Sequence, residues 1–108
     1  GDVSGGGTMI WSKAGSSYTK TSSTGVLSTD KWHQIAIAAD GTNASIYIDG
    51  VKTGSGSVAD IVTDSTDTYL GVNFWDTPFN GLIDDLYIYN GTTLSDNQIM
   101  ALYEVTSK

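Results

Sequence analysis

Apolar and polar residues alternate with a period of two along most of this chain, and that period predicts strands. Residues 8–12 read as a strand around Met9-Ile10-Trp11, and residues 17–22 as a second with Tyr18 and Lys20 on one face. In 31–39, Ile35 and Ile37 share a face, and Asp40-Gly41 then gives a tight-turn signal. Residues 44–48 follow, with Ile46 and Ile48 pointing one way and Tyr47 the other. Asp49-Gly50 is a second hairpin signal, leading into Val51-Lys52-Thr53. Two Asp-Gly turns around alternating strands predict an antiparallel meander. Beyond it, 55–66 is less regular, with one short strand expected around Ala59-Asp60-Ile61-Val62. A further strand is expected over 67–73, centred on Tyr69-Leu70-Gly71-Val72. After a loop at Trp75-Asp76-Thr77-Pro78, residues 79–89 carry the longest strand pattern. Leu82, Asp84, Leu86 and Ile88 occupy one face there, and Ile83, Asp85, Tyr87 and Tyr89 the other. One short helix closes the chain: Ser95 is its N-cap, Gln98 the capping-box partner, and Leu94 can staple onto Ile99. Ile99, Leu102 and Tyr103 would pack it onto the strands.

The 108 residues fit one domain, with 39% apolar residues to fill a core. Thirteen glycines against one proline suit short strands and tight turns. Residues 1–7 read as a flexible segment and 8–108 as the folded module. The net charge is −7, with five lysines and no arginine. Without the guanidinium fork, and with that sign of charge, nucleic acid is excluded as a partner, and an anionic membrane surface would repel the chain. The absence of cysteine rules out disulfides, a thiol nucleophile and cysteine-based zinc sites. No apolar run approaches the ~18 residues that span a bilayer.

Trp32-His33-Gln34-Ile35-Ala36, then Asp40-Gly41, then Ile46-Tyr47-Ile48-Asp49-Gly50-Val51 resembles the central hairpins of laminin-G-like modules of the concanavalin A-like lectin/glucanase superfamily. Residues 79–90, followed by Leu94-Ser95 and the helix, are similar to the closing strand and helix of those modules. The two blocks span roughly residues 31 to 104 in the family's order. The resemblance implies an all-β fold: a two-sheet antiparallel β-sandwich (jelly roll) with one short C-terminal helix. Complete modules carry several strands before the Trp-His block, one of which pairs near the closing strand. Here about thirty residues precede Trp32. The expectation is therefore that 8–108 is the C-terminal portion of a larger module, whose N-terminal strands are missing or lie in a complementary fragment on another chain.

Catalysis finds little support in the residue pattern. Superfamily glucanases use closely spaced carboxylates, whereas Glu104 is the single glutamate and Asp84 and Asp85, adjacent in a strand, face opposite ways. No Ser-His-Asp arrangement is evident, and His33 reads as structural. Sugar binding needs aromatic platforms with short polar partners. Trp75, Trp11, Tyr18 and Tyr69 are the candidate platforms, with Asn73, Asp76 and Asn80 as polar partners. Trp11 and Trp32 also suit the core, and Trp75 the rim of the core. Asp84 shares its expected face with Leu82, Leu86 and Ile88, so its carboxylate would point inward and need a cation or several donors. The resemblance implies a structural Ca²⁺ with such an aspartate among its oxygen ligands. The leading expectation is a non-catalytic module that binds a polysaccharide or glycan and is secreted or cell-surface, appended to an extracellular bacterial polysaccharide-degrading enzyme. The alternative is a structural or adhesive protein-interaction module of a cell-surface or phage protein. A third reading is a fragment of a catalytic domain whose carboxylates lie on a missing segment.

Overall fold

The computed structural model describes residues 8–14, 17–24, 27–58, 69–72 and 77–106, with side chains of the first hairpin described only at 8–10 and 19–24. Five strands and one helix follow in chain order: β1 (Met9–Ala14), β2 (Ser17–Ser22), β3 (Ile35–Ala39), β4 (Asn43–Ile48), β5 (Val51–Ser57) and α1 (Asp96–Thr106). β1 and β2 form one antiparallel sheet, and β3-β4-β5 form a second.

The two aspartate turns that join the second sheet differ in build. Between β3 and β4, the Asp40 carboxylate accepts the N–H groups of Thr42 and Asn43 while Gly41 takes φ +91°. Those two bonds hold the Asp40 carboxyl below the ordinary carboxylate range. Between β4 and β5 the turn has only two residues, and both Asp49 (φ 51°) and Gly50 (φ 80°) are left-handed. Such a turn matches the right-handed twist of the flanking strands, and aspartate followed by glycine adopts it at low cost.

The register pairs Ile35 with Ile48, Ile37 with Ile46 and Ala39 with Ala44, which puts the isoleucines on one face. Ile46 and Ala44 are buried there with Ile10 and Val58, and Ala39 packs against them. The hairpin β1–β2 covers this face over β5. Strand β5 carries one extra residue: Ile46 pairs with Gly54 and Tyr47 with Lys52, so Thr53 bulges between them. The Thr53 carbonyl then accepts the Thr24 N–H at 2.8 Å, joining the end of β2 to the second sheet.

The opposite face of β4 lies beneath α1, so Tyr47 is buried as well as Ile46. The Tyr47 hydroxyl donates to Asp96 at the first turn of the helix, and Lys52 Nζ sits 3.1 Å from the same carboxylate. These partners hold Asp96 below the ordinary range, and a negative charge at a helix N-terminus is favourable in its own right. The capping box forms as expected: Ser95 Oγ accepts the Gln98 N–H, and Gln98 Oε1 accepts the Ser95 N–H. Ile99 is fully buried. The result is two antiparallel sheets with a C-terminal helix, a β-sandwich.

Several expectations need correction. Residues 79–89 form no strand: among the described residues no segment pairs with them in a ladder, and their side chains are exposed. Residues 69–72 are a bend rather than a strand: Gly71 is left-handed and its carbonyl accepts the Phe79 N–H. Strand β5 runs to Ser57, beyond the expected three residues. Trp32 is 64% exposed rather than part of the core, since the hairpin reaches β5 and leaves the β3 side open. The strand expected around residues 59–62 lies outside the described residues.

Candidate functional site

The most concentrated polar geometry lies where β3 begins. The two-residue turn at 49–50 swings the Asp49 side chain back towards β3. One carboxylate oxygen accepts the Gln34 N–H at 2.9 Å, and the other lies 2.8 Å from His33 Nδ1. On the far side of the ring, His33 Nε2 lies 2.8 Å from Ser28 Oγ and 3.2 Å from the Ser28 carbonyl. Burial pushes the Asp49 carboxyl up, but the hydrogen bonds from His33 and Gln34 outweigh it and hold the group below the ordinary range.

Ser28, His33 and Asp49 thus stand in the order of a nucleophile, a base and an orienting acid. The sequence reading found no such arrangement, because five and sixteen residues separate these groups from the histidine and only the turn at 49–50 closes the gap. The geometry is nonetheless that of a brace. The nitrogen that would take the serine proton is shared with the carbonyl of the same residue, and Ser28 itself is exposed on a loop. What the arrangement does plainly is tie the loop before β3 to the β4–β5 turn. Gln34 extends the tie, donating from Nε2 to Thr106 Oγ1 at the end of α1.

The brace has a pH signature. A carboxyl whose folded pKa is depressed contributes stability above its unfolded value, near 4, and that contribution is lost as pH falls through the folded value. Asp49→Asn is expected to destabilise by about 1–2 kcal/mol at pH 7, since hydrogen bonds to charged groups contribute about 1.5–3 kcal/mol and the partial exposure of Asp49 lowers that. The variant's urea midpoint should change less than the wild type's between pH 6 and about pH 3. Ser28→Ala should stay within ~0.5 kcal/mol of wild type. Parallel pH profiles for wild type and Asp49→Asn would remove the brace from the account.

The expected sugar-binding residues are distributed differently. Trp75, Asn73 and Asp76 lie outside the described residues. Trp11 and Tyr18 belong to β1 and β2, whose backbone register pairs Trp11 with Lys20 and Lys13 with Tyr18. These four positions therefore form one row of the hairpin. The alternate row contains Ile10 and Thr21, the two described positions of the hairpin ladder with buried side chains. Tyr69 and Asn80 are exposed.

Asp84 is exposed, not inward, and its Oδ1 accepts the Asp85 N–H at 2.8 Å. Among the described residues, no three His, Asp or Glu side chains gather where a metal ion could sit. A shallow apolar groove does exist elsewhere, between Tyr89 and the Leu94, Leu102 and Val105 side of α1.

Comparison with known proteins agrees with this architecture. A crystal structure of an S-layer domain-containing protein from Clostridium thermocellum (residues 221–444) superposes with a TM-score of 0.65 at 21% identity, covering 80% of this chain. The present chain spans 45% of that structure's length. No curated protein sequence matches the chain. The family model Laminin_G_3, described as the concanavalin A-like lectin/glucanases superfamily, matches residues 2–100. With nearly the whole length matched, the chain belongs to this laminin-G-like family of the concanavalin A-like lectin/glucanase superfamily.

Proposed function

We propose that this domain is a non-catalytic carbohydrate-binding module of a secreted or cell-surface protein, in which it accompanies an extracellular polysaccharide-degrading enzyme. The observation that carries the proposal is the register of the first hairpin. Trp11 and Tyr18 fall in the row that alternates with the buried one, and diagonal neighbours across an antiparallel pair lie roughly 7–8 Å apart. Aromatic residues at two positions of one row suit stacking on sugar faces, and the lysine positions 13 and 20 in that row suit hydrogen bonding to hydroxyls. Trp75, with Asn73 and Asp76, is the second candidate platform. The membership in a lectin-type superfamily supports the same reading. A non-catalytic role is favoured by an exposed, solitary Glu104 and by the shared hydrogen bonding of His33.

Affinity electrophoresis against a panel of plant and bacterial polysaccharides tests the proposal. Retardation by at least one polymer is expected, with Trp11→Ala or Trp75→Ala weakening it about tenfold, the equivalent of ~1.4 kcal/mol. Retardation that survives Trp11→Ala, Tyr18→Ala and Trp75→Ala together would move the site elsewhere. No retardation by any polymer would end the sugar reading. Calcium at Asp84 is a separate proposal, resting on oxygen-donor chemistry alone. The protein-interaction reading is favoured by one feature, the exposed apolar run at 80–90.

A further inference from the structure

The hairpin β1–β2 differs in charge from the chain that follows it. Residues 3–29 carry Lys13 and Lys20 and no carboxylate, whereas residues 30–108 carry eleven carboxylates against three lysines. One of those three, Lys52, is paired with Asp96. The register sets both hairpin lysines in the row of Trp11 and Tyr18, with position 11 opposite 20 and position 13 opposite 18. Each aromatic position therefore has one lysine position directly across the ladder and another two residues along its own strand. The two aromatic positions are diagonal neighbours, and so are the two lysine positions, at roughly 7–8 Å. The alternate row carries the buried Ile10 and Thr21, and Lys20 is exposed.

We infer that this row takes an acidic polysaccharide, one whose sugar rings carry single carboxylates as uronic acids do. A uronic-acid ring keeps the apolar face on which an aromatic side chain stacks, and adds one negative charge at its edge. A lysine position beside each aromatic position answers that charge. Hydrogen bonds between an ammonium and a carboxylate are roughly twice as strong as those between neutral groups. Polymers dense in sulfate or phosphate esters fit less well, because the domain carries a net charge of −7 and has no guanidinium fork for such groups. The aromatic positions thus select for ring face and the lysine positions for sparse negative charge. The inference rests on the sugar-binding reading and narrows it from sugars in general to acidic ones.

Isothermal titration calorimetry with polygalacturonate tests this, since methyl-esterification removes the charge and leaves the sugar backbone. At low salt the partly esterified polymer should bind at least about tenfold more tightly than the fully esterified one. Dextran sulfate should bind more weakly than the partly esterified polymer. Raising the salt to about 1 M, where the screening length falls to about 3 Å, should erase the preference for charge. Lys13→Gln with Lys20→Gln should erase it too, and Lys13→Arg with Lys20→Arg should keep it. Lys31→Gln, which changes the net charge away from the row, should leave it unchanged. Trp11→Ala should weaken both forms of polygalacturonate alike, so that their ratio stays. Equal binding of the charged and neutral forms, both lost in Trp11→Ala, would overturn the inference and leave the sugar-binding reading standing. A preference that survives Lys13→Gln with Lys20→Gln, or tighter binding of dextran sulfate, would also overturn it. So would no heat with any of these polymers, in which case retardation by a neutral polysaccharide would keep the sugar-binding reading alone.

Discussion

Replacing Gly54 with valine is expected to destabilise the domain by at least ~3 kcal/mol, a large share of what holds a domain of this size together. A Cβ at Gly54 would lie 2.3 Å from the Ser22 carbonyl oxygen and 3.0 Å from the Ser23 Cα. Both are backbone atoms, so no rotamer change can relieve the overlap; β1–β2 would have to lift away from β5. That movement would break the Thr24–Thr53 hydrogen bond and open the face that buries Ile46. Gly41→Ala is the comparison. Gly41 is left-handed at φ +91°, but a Cβ there would meet nothing within 4 Å, so only backbone strain of about 1 kcal/mol is expected. Urea midpoints for the two variants check the expectation directly. If Gly54→Val proved as mild as Gly41→Ala, the hairpin would not be seated on β5 as described.

Ile46→Ala is expected to cost about 2–5 kcal/mol, the range for emptying a fully buried aliphatic site. Ile46 is 0% exposed and lies at the junction of β1, β4 and the end of β5. Its register partner Ile37, on the same face, is 54% exposed, so Ile37→Ala should cost less than ~1 kcal/mol. The contrast between these two neighbours measures how far the hairpin covers the second sheet. Equal losses on thermal or urea unfolding would mean that a further element covers β3 in solution, and the sandwich would be wider than described.

These contrasts show why the sequence was readable in some places and misleading in others. The aspartate turns, the Ser95–Gln98 capping box and strand β4 depend on neighbouring residues, so local pattern suffices to find them. Strand β5 was legible only to Thr53, because the bulge there shifts the alternation and the following Gly-Ser run has weak strand preference. Tyr47 was expected to point away from the isoleucines, and it does; that this second face is also buried depends on α1, nearly fifty residues away. At 79–89 the alternation is real, but among the described residues no segment pairs with it in a ladder, and a strand exists only with a neighbour. The candidate site divides in the same way. The hairpin row of Trp11 and Tyr18 follows from register, whereas the Ser28–His33–Asp49 chain had no local signal beyond the Asp-Gly turn that creates it.

The bulge at Thr53 also determines which changes in length the domain can absorb. Removing that residue would leave a perfectly even ladder, with Lys52 still beside Tyr47 and Gly54 still beside Ile46. It would also take away the carbonyl that fastens Thr24, so the more regular sheet would be the one that had let go of its other layer. Length can vary at the tip around Gly41, where there is open space, but not at this irregularity in β5, which works as the latch between the two sheets.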